Sequence, residues 1–253
     1  MKALIIAFSM YSRLPMPVFL WDEEDRKRAM WFFPLVGAVV GAAFLVSFLL
    51  FAGERMAGGF GGAVLTAVPL WVSGGIHMDG LLDTFDARAS NGDRGRKLEI
   101  LKDSHVGAFA VMGGGIYMIL YYGACTRLLL RGALVTAAGF VLSRAICGLL
   151  VASLPGAREK GMLADFVKGS DTQETMWVMT VYIAAAAFLM FVCSPLRAVF
   201  ALAASLSAGY YCRRVMLKEF GGITGDLAGY FTQVCELGIV LSQAVYECLI
   251  PQI

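Results

Sequence analysis

From Trp31 to Ala52 the chain runs through 22 residues without a charged side chain, and this stretch restricts the fold more than any other feature. A helix rises 1.5 Å per residue, so about 20 apolar residues match the ~30 Å hydrocarbon core of a bilayer. Six further stretches read the same way: Met56 to Ile76, Gly107 to Leu130, Gly132 to Leu154, Thr175 to Cys193, Leu196 to Cys212 and Gly229 to Ile250. The second is interrupted by glycines (Gly58, Gly59, Gly61, Gly62, Gly74, Gly75), and the sixth, Leu196 to Cys212, is near the lower length limit for a span. The chain is 58% hydrophobic and 16% charged, against roughly 25% charged in soluble domains. The expected fold is therefore all-α, a single-domain polytopic integral membrane bundle covering 1–253 with about seven transmembrane helices. Lys2 followed by Ala3 to Tyr11 imitates a signal peptide, but Arg13, Pro15 and Pro17 follow with no small-x-small cleavage site. A short retained interfacial or re-entrant helix is expected there.

Several classes of function are excluded. The formal charge is +2, without the basic excess that nucleic-acid binding requires. Six cysteines lie within or at the ends of apolar segments, with no CxxC pair and two histidines in the chain, so neither a zinc site nor a disulfide framework is indicated. Gly37 and Gly41 form a GxxxG that predicts close helix packing.

Cytoplasmic loops carry an excess of Lys and Arg. With seven spans, sixteen basic residues fall on the N-terminal side and four (Arg55, Arg127, Arg131, Arg197) on the other, with Arg144 inside the fourth span. This count predicts a cytoplasmic N-terminus and an outside C-terminus.

The chemistry concentrates in the basic-side loop His77 to Val106. Asp79, Asp83 and Asp86 follow one another in steps of four and three, which on a helix puts them within a ~60° arc. Carboxylates stacked on one face repel, and a hard divalent cation that keeps several waters and bridges to substrate phosphates would relieve them. Arg88, Arg94, Arg96, Lys97 and Lys102 lie close by, and carboxylates for metal with bases for phosphate oxygens are the parts of phosphoryl-transfer sites. Lys102, Asp103 and Ser104 precede the third span, where Ser104 is placed to cap a helix N-terminus able to favour a phosphate. Asp226, Gln233 and Glu236 share one side of the seventh span, Glu236 some 15 Å deeper. A carboxylate at that depth must be paired, protonated or in a wet cavity. Arg144 raises the same question from the fourth span, and an ion pair between the two is the structural alternative to substrate binding. His77 and His105 flank the acidic loop.

An ordered set of segments resembles the cobalamin synthase (adenosylcobinamide-GDP ribazoletransferase) family over nearly the whole chain: FSMYSRLPMP (Phe8 to Pro17), WFFPLVGAVVG (Trp31 to Gly41), HMDGLLDTFD (His77 to Asp86), LKDSHVGAFAV (Leu101 to Val111), SRA (Ser143 to Ala145), LPGAREKGM (Leu154 to Met162) and GGITGDLAG (Gly221 to Gly229). Two positions depart from the family's usual pattern: Ala87 stands where glycine is common and Gln233 where glutamate is common. The resemblance implies a Mg2+-dependent enzyme of the bacterial cytoplasmic (inner) membrane whose active site faces the cytoplasm. It would join adenosylcobinamide-GDP to α-ribazole or its 5'-phosphate and release GMP. It implies Asp79, Asp83 and Asp86 as metal ligands and catalytic residues, with Asp103 and Asp226 completing the acidic site and Lys102, Arg158 and Lys160 meeting phosphates. His77, Arg88, Ser104, Arg144 and Glu236 complete the substrate-binding candidates. Partners are the small-molecule substrates and the lipid bilayer, with no nucleic acid; self-association is open. The alternatives are a CDP-alcohol phosphotransferase or prenyltransferase-like membrane enzyme, and a small-solute transporter. The full CDP-alcohol motif is missing, and a transporter would carry its charges near the midplane and internal repeats.

Overall fold

The computed structural model describes residues 2–17, 20–51, 59–158 and 172–250. Among them the chain is helical: α1 (Lys2–Tyr11), α2 (Glu23–Ala29), a 3-10 turn (Met30–Phe32), α3 (Phe33–Phe51), α4 (Phe60–Ser73), α5 (Ile76–Ala89), α6 (Arg94–Ile100), α7 (Ala108–Cys125), α8 (Leu130–Ser153), α9 (Thr172–Cys193), α10 (Pro195–Val215), a π turn (Met216–Phe220) and α11 (Gly225–Leu249). The expected spans and the observed helices agree closely from the third onward. The helix of the seventh expected span, α11, begins four residues earlier, at Gly225, because the Thr224 hydroxyl accepts from the Leu227 N–H and caps it.

The centre of the bundle is α8, which packs along α3 and α9 and crosses α10 and α11. Its most apolar stretch is 67% buried, against 17% in α9. Accordingly α9 turns Trp177, Val181, Phe188, Leu189 and Val192 outward, a contiguous apolar surface that suits lipid and not water. The predicted close packing at Gly37 and Gly41 is present: a Cβ at either would run into a backbone carbonyl of α8, at Phe140 and Ala137. Four of the six cysteines are buried and all six are free, as small apolar side chains in a core.

Among the described residues, four helices are long and apolar enough to cross a membrane: the continuous run Glu24–Phe51, then α7, α8 and α9. Counting α4 and α5 as one broken span makes five, so the count of seven is not met by length and composition. The second expected span fails as a straight helix for a local reason. Gly74 and Gly75 both adopt the left-handed region, φ 70° and 78°, and turn α5 by 96° away from α4. The tenth and eleventh helices have the length, 21 and 25 residues, but α11 carries Asp226, Gln233, Glu236, Gln243 and Glu247. The N-terminal segment is a helix packed against α2 and α3, with Ile6 and Ala7 buried. Arg13 then donates its N–H to the Val72 carbonyl at 2.9 Å, at the end of α4. Arg55, Lys160, Lys168 and the start of the second expected span lie outside the described residues.

Candidate active site

After the bend, α5 lies across the first turns of α11. The contact is backbone on backbone: a Cβ at Gly80 would overlap the Asp226 carbonyl, and one at Gly229 would press on His77. These two glycines let the HMDGLLDTFD and GGITGDLAG segments meet. The loop before α11 turns at Gly221, φ 73°, and pairs with the LPG segment, Ile223 N–H to Pro155 O and Ala157 N–H to Ile223 O, both 2.9 Å. That short bridge brings Arg158 Nη1 to 3.5 Å from Asp226 Oδ2, while Nη2 donates to the Leu98 carbonyl at 3.1 Å.

Asp83 is half-buried and lies in the field of Asp79, Asp226 and Asp86, with Arg158 acting against those three carboxylates. Arg158 and Asp79 likewise act on Asp226 with opposite sign. The site is thus a set of four carboxylates with one guanidinium among them, a net negative charge that favours a cation. Asp86 is also a helix cap: its two oxygens accept from the N–H groups of Gly107 (2.6 Å) and Ala110 (2.8 Å). An α5 carboxylate, and not Ser104, caps α7, and no side chain nearer in sequence does so at its Gly107 N-cap. A charged acceptor on a helix N-terminus is a strong cap, and it welds the KDSHVG loop to the acidic face.

Among the described residues no three His, Cys, Asp or Glu side chains stand close enough to form a metal cage. The donor chemistry nonetheless fits Mg2+, which is ordinarily held by one or two carboxylates, waters and substrate phosphates. Asp103 is exposed and accepts from its neighbour His105, at the backbone N–H (3.0 Å) and ring Nδ1 (2.7 Å); Lys102 and Ser104 are exposed beside it. Arg88 is engaged elsewhere: it binds Glu219 (Nη2 to Oε1, 3.0 Å) and donates to the hydroxyls of Tyr211 (2.7 Å) and Tyr230 (3.1 Å). Lys97 holds the other Glu219 oxygen at 2.8 Å. Burial raises the Glu219 carboxyl, but the hydrogen bonds from Lys97 and Arg88 outweigh it and hold it below its ordinary value.

Deeper in the bundle, Arg144 and Glu236 face each other at 2.6 Å with side chains 1% and 2% exposed. Of the two readings the sequence left open, this geometry is the ion pair. Gln233, the family departure, accepts from the Tyr117 hydroxyl at 2.5 Å. Beside Asp79 and Asp226 a cavity of about 170 Å³ opens between α1, α3, α5, α8 and α11. His77 lines it, 5% exposed, its Nε2 without a hydrogen-bond partner.

Residues 3–244 match the family model of cobalamin-5-phosphate synthase. The chain belongs to the cobalamin-5-phosphate synthase family. Relatives named adenosylcobinamide-GDP ribazoletransferase include one from Lachnoclostridium phytofermentans, 39% identical over 99% of this chain and 96% of its own. Others come from Clostridium perfringens, 29% identical over 94% and 98%, and Ectopseudomonas mendocina, 30% identical over 95% and 97%. No solved structure matches. In this synthase, sequence reasoning missed Glu219, Tyr211 and Tyr230, which no local pattern marks, and the cavity residues Tyr11 and Phe33. Those two lie inside FSMYSRLPMP and WFFPLVGAVVG, and their presence in matched segments was the signal.

Proposed function

We propose that this membrane synthase joins adenosylcobinamide-GDP to α-ribazole or its 5'-phosphate at the cytoplasmic rim of the bundle, releasing GMP. One observation carries the site assignment: three distant segments meet, because α5, which bears Asp79, Asp83 and Asp86, packs at Gly80 on the Asp226 backbone and Arg158 lies 3.5 Å from Asp226. A ribazole hydroxyl attacks the phosphoryl group that bears cobinamide; the bond to the GMP oxygen breaks, and the hydroxyl proton passes to a carboxylate of the cluster. Arg158 is placed to leave Asp226 for the diphosphate. Bound at Asp79 and Asp83, with Asp86 and Asp226 beside them, Mg2+ would supply charge stabilisation on the leaving phosphate. Lys102, Asp103 and Ser104 form the loop that meets the substrate from the α7 side, and the family resemblance adds Lys160 as a phosphate contact. Arg88, engaged with Glu219, Tyr211 and Tyr230, holds the π turn and, through Glu219 and Lys97, α6 in register.

In topology, α10, α11 and the broken α4–α5 unit join the four apolar helices as spans in the inner membrane, with the N-terminus cytoplasmic. The sixteen-to-four distribution of basic residues supports this side for the site. Purified protein incubated with adenosylcobinamide-GDP, α-ribazole and Mg2+ should yield cobalamin and GMP in equal amounts. Absence of both products would refute the assignment.

A further inference from the structure

The cavity beside the acidic cluster is unlike the cluster in its chemistry. Its lining is mostly apolar, with Tyr11, Met30, Phe33, Ile76, Cys147 and Val151, and its polar members are His77, Asp79 and Asp226. The rings of Tyr11, Phe33 and His77 form one aromatic group, with centroids 4.5 Å apart for Tyr11 and Phe33 and 5.5 Å for Phe33 and His77. Apolar cavities of about 150 Å³ take up benzene, so 170 Å³ is the scale of a small planar aromatic and excludes a corrin macrocycle. Guanine carries polar atoms on both its Watson–Crick and its O6/N7 edges; Asp79 and Asp226 could take up its donors, but Met30, Phe33, Ile76 and Val151 offer its remaining polar atoms no partner. A benzimidazole riboside has an apolar two-ring body and a single free ring nitrogen.

We infer that this cavity is the subsite for the heteroaromatic base of the acceptor nucleoside, seated between Tyr11, Phe33 and Val151 with its ribose at the Asp79–Asp226 side. The inference rests on the transfer reading above and deepens it. The nucleophile enters from the α1–α3–α8 side and its sugar hydroxyl lies beside two carboxylates. The corrin and the guanosine approach from elsewhere. Val151 and its neighbours then set which bases the enzyme accepts.

Full-length protein in detergent tests this with α-ribazole alone and with both substrates. α-Ribazole should raise the melting temperature of the wild type and have no effect on Val151→Phe, whose ring fills the cavity; GMP should shift both proteins equally. In turnover, Val151→Phe should raise KM for α-ribazole by about tenfold or more and leave KM for adenosylcobinamide-GDP within about twofold, the scale on which pockets read single carbon groups. Val151→Ala, which removes atoms and cannot clash, should raise the ribazole KM alone by several-fold. An equal rise in both KM values, or a rise only for adenosylcobinamide-GDP, would overturn the subsite. A wild type that binds α-ribazole in the cavity but makes no cobalamin would instead sink the transfer reading and leave the pocket standing.

Discussion

The Arg144–Glu236 pair offers the sharpest separation of structure from catalysis. Arg144 Nη1 lies 2.6 Å from Glu236 Oε1 and also donates to the Phe140 carbonyl at 3.0 Å, while Ser143 Oγ donates to Glu236 at 3.3 Å. The guanidinium carbon sits 5.8 Å and 6.0 Å from the ring centroids of Phe33 and Phe140, so apolar groups surround the charges. Neither residue lines the cavity beside Asp79. Removing one partner leaves a buried charge, at a cost of about 3–5 kcal/mol. At roughly 2–4 °C per kcal/mol for a chain of this size, Glu236→Gln should lower the melting temperature by on the order of 10 °C, and so should Arg144→Met. The double variant should recover most of the loss, because a neutral pair leaves no charge without a partner. A thermal-unfolding cycle in detergent on the four proteins, with turnover measured well below the lowest transition, checks this. Additivity of the two losses within about 0.5 kcal/mol, or loss of turnover at unchanged melting temperature, would refute the structural role.

Asp79→Asn and Asp83→Asn should each nearly abolish turnover at unchanged melting temperature, whereas Asp86→Asn should also destabilise the fold by about 1 kcal/mol through its lost charged cap on α7; melting curves and product assays on the three separate these outcomes. Glu219→Gln should loosen the π turn, and the difference from wild type should depend on pH. Because the Glu219 carboxyl sits below its ordinary 4.5, its stabilisation is complete above that value and drains away as pH falls through the lower folded value. A stability gap that persisted unchanged into strong acid would contradict this. Reporters inserted near Gly92 and fused after Ile253 should read cytoplasmic and outside respectively; the same side for both would remove an odd number of spans from the proposed topology.

Much of the architecture was legible because it is local. Long uncharged runs dictate helices, as lipid leaves no other partner for backbone groups, and the spacing of Gly37 and Gly41 was enough to predict a close helix contact, which α3 makes with α8. The acidic face of α5 was equally readable, since the spacing of Asp79, Asp83 and Asp86 is a property of helix geometry. What the sequence could not decide was who meets whom across the bundle. The Asp86 cap on α7 bridges 21 residues, Arg88 meets Glu219 across 131, and Arg144 meets Glu236 across 92. Each replaces a local role with a distant partner. The number of apolar spans also escaped the sequence: two left-handed glycines turn α4 by 96° into α5, and composition does not record the angle of a turn. Helix identity follows from the backbone's need for hydrogen bonds, which neighbours along the chain satisfy. Pairing of buried charges and the aromatic cavity follow from packing, which is set by contacts between residues that only the folded bundle brings together.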